Sequence, residues 1–111
     1  MARVICIPVD VNGQVDSRWG RVARVALATV DENRITSWEE VDVHWDILHD
    51  QNGEGQHHAR VAKFLLDNQV TDVACNHMGQ GMVRMLESMR LRSHLGASGN
   101  ARAVIEHLAQ E

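Results

Sequence analysis

The densest run of chemically capable side chains is Cys75-Asn76-His77-Met78. A thiol, an imidazole and a thioether together suit soft transition metals and metal–sulfur clusters. On an extended strand Cys75 and His77 share a face, because side chains alternate with period two. The pair is therefore expected to supply metal ligands, with Met78 beside them in the turn that follows. Cys75 has a second reading, since cysteine is among the most buried residue types and often only packs. Directly downstream lies Gly79-Gln80-Gly81, ahead of an amphipathic stretch. Glycine lets backbone approach a ligand, and a helix N-terminus presents free N–H groups to an anion. Gly79 and Gly81 are expected to cradle such an anion, or else to make a plain tight turn. No Gly-Lys-Ser/Thr follows, so this is not a nucleotide phosphate loop.

The chain has seven His and no Tyr, and His44, His49, His57 and His58 crowd into one short stretch. His57 and His58 open a helical pattern. Neighbours on a helix diverge by about 100°, so one can face a site while the other faces water. His49 could close over a bound group, or simply be solvated with His44. Met82, Met85 and Met89 keep helical spacing and read as a core face. No Ser/His/Asp or Cys/His nucleophile arrangement is argued by the spacing, so binding is expected rather than catalysis. Asp10, at the end of the first apolar run, is where a nuclease would keep one metal-binding acid. The later strand ends in Asn76 and His77 instead of an acid, and residues 59–66 carry none. The net charge of −4 also opposes a nucleic-acid partner. Two alternatives stand beside binding of a cluster. One is a simple Zn or Cu site from Cys75, His77 and one of His57 or His58. The other is a cofactor-free interaction module in which the loop around Trp45 docks a partner, a reading that an exposed Trp would support.

The elements that must position these residues follow from periodicity. Residues 3–9 are a Val/Ile-rich strand buried on both faces. Residues 22–30 and 34–44 read as strands two and three, joined by the polar turn Asp31-Glu32-Asn33. Ile35, Val41 and Val43 share a parity and predict one buried face. Residues 45–55 lack a period and read as a long surface loop. A helix from Gln56 to Asn68, a strand over 70–76, a helix through Met89, a strand over 91–95 and a closing helix from about 101 complete the chain, with Ser98 or Asn100 as the last N-cap. The order β-β-β-α-β-α-β-α predicts an α/β domain: a meander followed by parallel crossovers, giving a mixed five-stranded sheet with the first strand near its centre.

Composition agrees with one domain over 1–111. With 111 residues, 44% hydrophobic and 23% charged, the chain can bury a core without disulfides or structural metal. Cys6 and Cys75 are expected to be reduced. No apolar stretch would span a bilayer, and the apolar part of the N-terminus is too short for a signal peptide. A cytoplasmic monomer or weak homodimer is expected.

Four segments together resemble the dinitrogenase iron–molybdenum cofactor biosynthesis family, which includes NifX, the NafY core and the C-terminal domain of many NifB proteins. They are Ile7-Pro8-Val9-Asp10, Asp16-Ser17-Arg18-Trp19-Gly20-Arg21-Val22, Gly53-Glu54-Gly55-Gln56-His57-His58-Ala59 and His77-Met78-Gly79-Gln80-Gly81-Met82. The resemblance implies an RNase H-like three-layer fold. It also implies non-catalytic carrying of a metal–sulfur cofactor, such as an iron–molybdenum cofactor precursor, with cluster-assembly proteins as partners. The family's Ser-x-His-Phe-Gly-Arg-Ala segment has Arg18 and Trp19 here in place of its His and Phe. A guanidinium does not ligate metal but pairs with anions, so Arg18 is expected to supply charge to the cargo.

Overall fold

The computed structural model describes residues 2–48 and 53–111. Three strands open the chain: β1 (Arg3–Pro8), β2 (Arg24–Asp31) and β3 (Arg34–Asp42). Then come α1 (Trp45–Leu48), α2 (Glu54–Asp67), β4 (Asp72–Ala74), α3 (Gln80–Ser88), β5 (Arg92–His94) and α4 (Ala101–Leu108). The sheet order is β3-β2-β1-β4-β5, antiparallel across β1–β2–β3 and parallel across β1–β4–β5. This is the RNase H-like order, with β1 in the middle.

β1 is central because its alternating side chains are apolar on both faces. Cys6 packs with α2 and α3 through Val61, Leu65, Met82 and Leu86. Ile5 and Ile7 pack with α4 through Ala101, Ile105 and Leu108. Three layers result, helices covering both sides of one sheet. Ala26 and Ala28 of β2 belong to the α4 side, and their small size suits a closely seated helix. The β2–β3 hairpin turns on Glu32 (φ 51°) and Asn33 (φ 66°), the two positive φ values of a type I′ turn.

Two expectations are corrected. Ile35, Val41 and Val43 do not share a face. The β2–β3 register slips between Thr29 and Val30, so that Ser37 faces Thr29 while Ile35 faces Val30. The extra residue, Thr36, is a β-bulge that reverses parity. Ile35 and Trp38 therefore join the α4 side, and Val41 and Val43 the opposite side. Second, residues 45–55 are not simply a surface loop. Trp45 is 2% exposed and starts α1. Its ring meets Trp19 at 5.5 Å, Phe64 at 5.6 Å and His57 at 6.2 Å, all edge-on. Such pairs add to burial by favourable quadrupole geometry. Trp45 is thus an internal anchor, and the docking module loses its exposed tryptophan. His49 lies outside the described residues.

Candidate functional site

β4 ends at Ala74, and the chain leaves the sheet through Cys75–Gly79 to start α3. Gly79 has φ −69° and ψ 159°, and no side chain caps the helix. An α-helix begins with four N–H groups that lack intrahelical acceptors. Here they belong to a turn with no acidic side chain and two glycines. α2 begins similarly, at Gly53, again without a side-chain cap. The first turns of both helices line one cleft of about 460 Å³, closed on its other side by Trp19, Gly20 and Arg21. That volume lies in the range of small-molecule sites. Gly53, His57, His58, Gly79, Gln80, Gly81 and Met82 complete the lining, with no acidic side chain among them.

The Trp19–Arg21 wall is held by a chain of hydrogen bonds. Gly20 O is paired with His57 Nε2, and His57 Nδ1 with Arg60 Nη1 at 2.8 Å. A carbonyl only accepts and a guanidinium only donates. The geometry therefore assigns His57 as the Nε2–H tautomer, donating to Gly20 and accepting from Arg60. Arg60 also donates to Leu48 O at 3.0 Å, which ties in the end of α1. His57 is 6% exposed, and both its nitrogens are committed to this support. It positions the wall and has no lone pair left for a metal. His58 lies over Gly81, whose Cβ, if present, would meet His58 Cε1 at 3.2 Å. Gly20 has φ +82°, with Met82 Cε 3.5 Å from where a Cβ would point. Glycine permits both that backbone conformation and the close approach.

Of the residues expected from sequence, Gly79, Gly81, His57 and His58 line the cleft; Arg18, Cys75, His77 and Met78 do not. Arg18 is bound to Asp16 by two bonds of 3.0 Å, Nε to Oδ1 and Nη2 to Oδ2. The Arg18 hydrogen bond holds the Asp16 carboxyl below its usual range. The cationic residue on the cleft is instead Arg21, exposed and with no ion pair among the described residues. Cys75 is buried beside Cys6 and Val73, and burial pushes its thiol up to about 11. Thiols, unlike thiolates, are poor ligands. His77 is exposed, so the two do not present one shared face: the strand on which they would alternate ends at Ala74, before either of them. Met78 is 5% exposed and packs in the core. Among the described residues no three His, Cys, Asp or Glu gather to hold a metal ion. Cys75, His77 and one of His57 or His58, the set named for a Zn or Cu site, form no such group among them. Asp10, the nuclease candidate, accepts from Asn12 N and Gln14 N and shapes a turn.

Among the described residues, the cleft offers the N–H donors of a helix start and the charge of Arg21. Trp19 and Arg21 were not singled out by residue type. Their signal in the sequence is the Asp16–Val22 segment that carries the family resemblance, with Gly20 between them.

A family model described as dinitrogenase iron-molybdenum cofactor matches residues 1–111. No curated protein matches the chain. Solved structures share the fold. PH0822 superposes with a TM-score of 0.78 at 18% identity, over 99% of this chain and 91% of that one. The apo form of the orange protein from Desulfovibrio gigas gives 0.75 at 16%, over 97% and 88%. A Thermotoga protein described as a candidate NifB gives 0.72 at 16%, over 97% and 88%. No helix of the described residues is long and apolar enough to cross a membrane.

Proposed function

Since the chain belongs to the dinitrogenase iron–molybdenum cofactor family, we propose that it binds and carries an anionic metal–sulfur cargo in the cleft between α2 and α3. An iron–molybdenum cofactor precursor or a related cluster is the cargo class in view. The observation that carries the reading is the uncapped, acid-free start of α3, Gly79–Met82, which shares a cleft with Arg21. Partial positive charge at a helix N-terminus, free N–H donors and a guanidinium all favour an anion. Donors of this kind hold a cargo through its own oxo or sulfido atoms. Binding of this kind lets a cluster be handed on without breaking protein–metal bonds, which suits a carrier more than a catalyst. The partners would be cluster-assembly proteins that load and unload it, in the cytoplasm.

The test is anaerobic equilibrium dialysis with tetrathiomolybdate, reading retained molybdenum. Arg21→Ala should weaken binding about tenfold, the worth of one charge-assisted contact, and raised salt should weaken the wild type. Cys75→Ala should bind as the wild type does. Loss of binding in His77→Ala, with none in Arg21→Ala, would replace the electrostatic cradle by metal coordination. A wild-type protein that retains no molybdenum would sink the reading.

A further inference from the structure

Trp19 is 7% exposed, and its ring is fixed edge-on against Trp45 at 5.5 Å. Phenylalanine would fill such a place in the core equally well. What tryptophan adds is one N–H donor and no acceptor. That donor, Nε1, is buried and meets no acceptor among the described residues. Buried polar groups without a partner are few in native proteins, and each asks for a reason. Trp19 is also one of the residues that line the cleft, next to Gly20 and Arg21 and together with Gly79–Met82. The unmatched donor and the uncapped helix start are independent observations, and the residues that carry them line one cavity.

We infer that the indole N–H of Trp19 is a cargo-binding donor, hydrogen-bonded to an oxo or sulfido atom of the anion held at the start of α3. The inference rests on the cleft being an anion site. Trp19 differs in kind from Arg21. A guanidinium on an exposed, flexible stem attracts charge from many directions. The indole is fixed by Trp45, and the turn that carries it is fixed by the His57–Gly20 bond. A rigid donor imposes one direction on its acceptor and loses no rotamer freedom when it binds. Arg21 therefore supplies attraction, and Trp19 supplies orientation. An anion with discrete acceptor atoms, such as a tetrahedral thio- or oxo-anion or a sulfido-edged cluster, satisfies it, and a diffuse or acceptor-poor ligand does not.

The experiment uses the whole chain, labelled at the indole nitrogens, and tetrathiomolybdate under anaerobic conditions. Trp19→Phe keeps the ring contact and removes the donor. It should bind the probe about tenfold more weakly while melting within a few degrees of the wild type. In the wild type, the Trp19 indole resonance, assigned by its absence from Trp19→Phe, should move on adding the probe, while that of Trp38 stays in place. Three results overturn the inference. Equal affinity in Trp19→Phe and wild type removes the donor role and leaves the anion cleft standing. Weaker affinity with an unmoved Trp19 resonance shows that the ring acts only through packing. Failure of the wild type to bind the probe removes the cleft reading, and this inference with it.

Discussion

β4 and β5 are parallel neighbours in the sheet, and each leads through a short connection to a helix. The two helices begin in opposite ways. α4 starts at Asn100, whose side chain accepts from Ala103 N at 2.8 Å. Ala101 N donates to Gly13 O at 3.0 Å, and Asn100 bridges to Gln14. α3 starts at Gly79, with no side-chain cap. In one connection a side chain caps the helix start; in the other, among the described residues, none does, and the start lines a cleft. Volume does not separate them, because a hollow of about 410 Å³ lies beside α4 as well. Of its two histidines, His94 is bound to Asp72 at 2.8 Å and His107 lies 3.8 Å from Glu111. What marks the site is a helix start with no side-chain cap among the described residues, more than the presence of space.

The same contrast runs through the charges. Asp72, 1% exposed, receives Arg3 at 2.9 Å, His94 at 2.8 Å and Thr71 at 2.5 Å. Arg21, across the sheet on the cleft side, has no such partner among the described residues. Buried ions need this kind of complete answer, since an unpaired one is strongly destabilising.

The comparison can be broken most severely at Gly79. Its φ and ψ suit any residue, and nothing lies within 4 Å of an added Cβ. Gly79→Asp would close the open start, capping α3 and adding a charge that suits the helix N-terminus. Thermal melts should show stability unchanged or raised. Binding of tetrathiomolybdate should fall at least about a hundredfold, because a like charge placed against a ligand costs several kcal/mol. A Gly79→Asp protein that still retained molybdenum would show that the cargo does not use this helix start. The reverse change, Asn100→Ala, opens the closed start. It should cost about 1 kcal/mol in denaturant unfolding and leave thiomolybdate binding intact. Together the two variants should separate stability from binding.

The third effect is read on the acid side. Burial raises the Asp72 carboxyl, but hydrogen bonds from Arg3, Thr71 and His94 outweigh it and hold the group below its ordinary value. The folded state then binds fewer protons than the unfolded one at mildly acidic pH. Its contribution is complete above the ordinary carboxylate value and is lost as pH falls through the depressed one. Melting temperature should therefore drop in acid below about pH 4, and Asp72→Asn should flatten that limb. Asp16 is depressed too, by Arg18, but Arg18 is 58% exposed. Asp16→Asn should change the acid limb much less, as surface pairs contribute little.

Much of the architecture was legible in order and period. The double-faced apolar run of β1, the helical spacing of Met82 and Leu86, and the glycines ahead of α3 each point the same way as the observed fold. Consistency between local pattern and global fold is what makes a sequence specify one structure. Where the reading failed, the deciding interaction was between residues distant in the chain. Thr36 looks like any strand residue, and only pairing with β2 reveals it as the bulge. Trp45 sits in a polar stretch, and only the approach of Trp19 and Phe64 buries it.

The sequence by itself determined the succession of elements, the mixed sheet and the turn at Gly79–Gly81, because these follow from side-chain period and backbone freedom within a few residues. Which side chains meet at that turn was decided only in three dimensions. Arg18 and Arg21 are the same residue type three positions apart. Asp16 takes the first, while the positive-φ turn at Gly20, pinned by His57, carries the second to the cleft. Cys75 was equally a ligand or a core residue until the end of β4 placed it inside. Ligand and filler differ in surroundings and not in chemistry, and surroundings are a property of the fold.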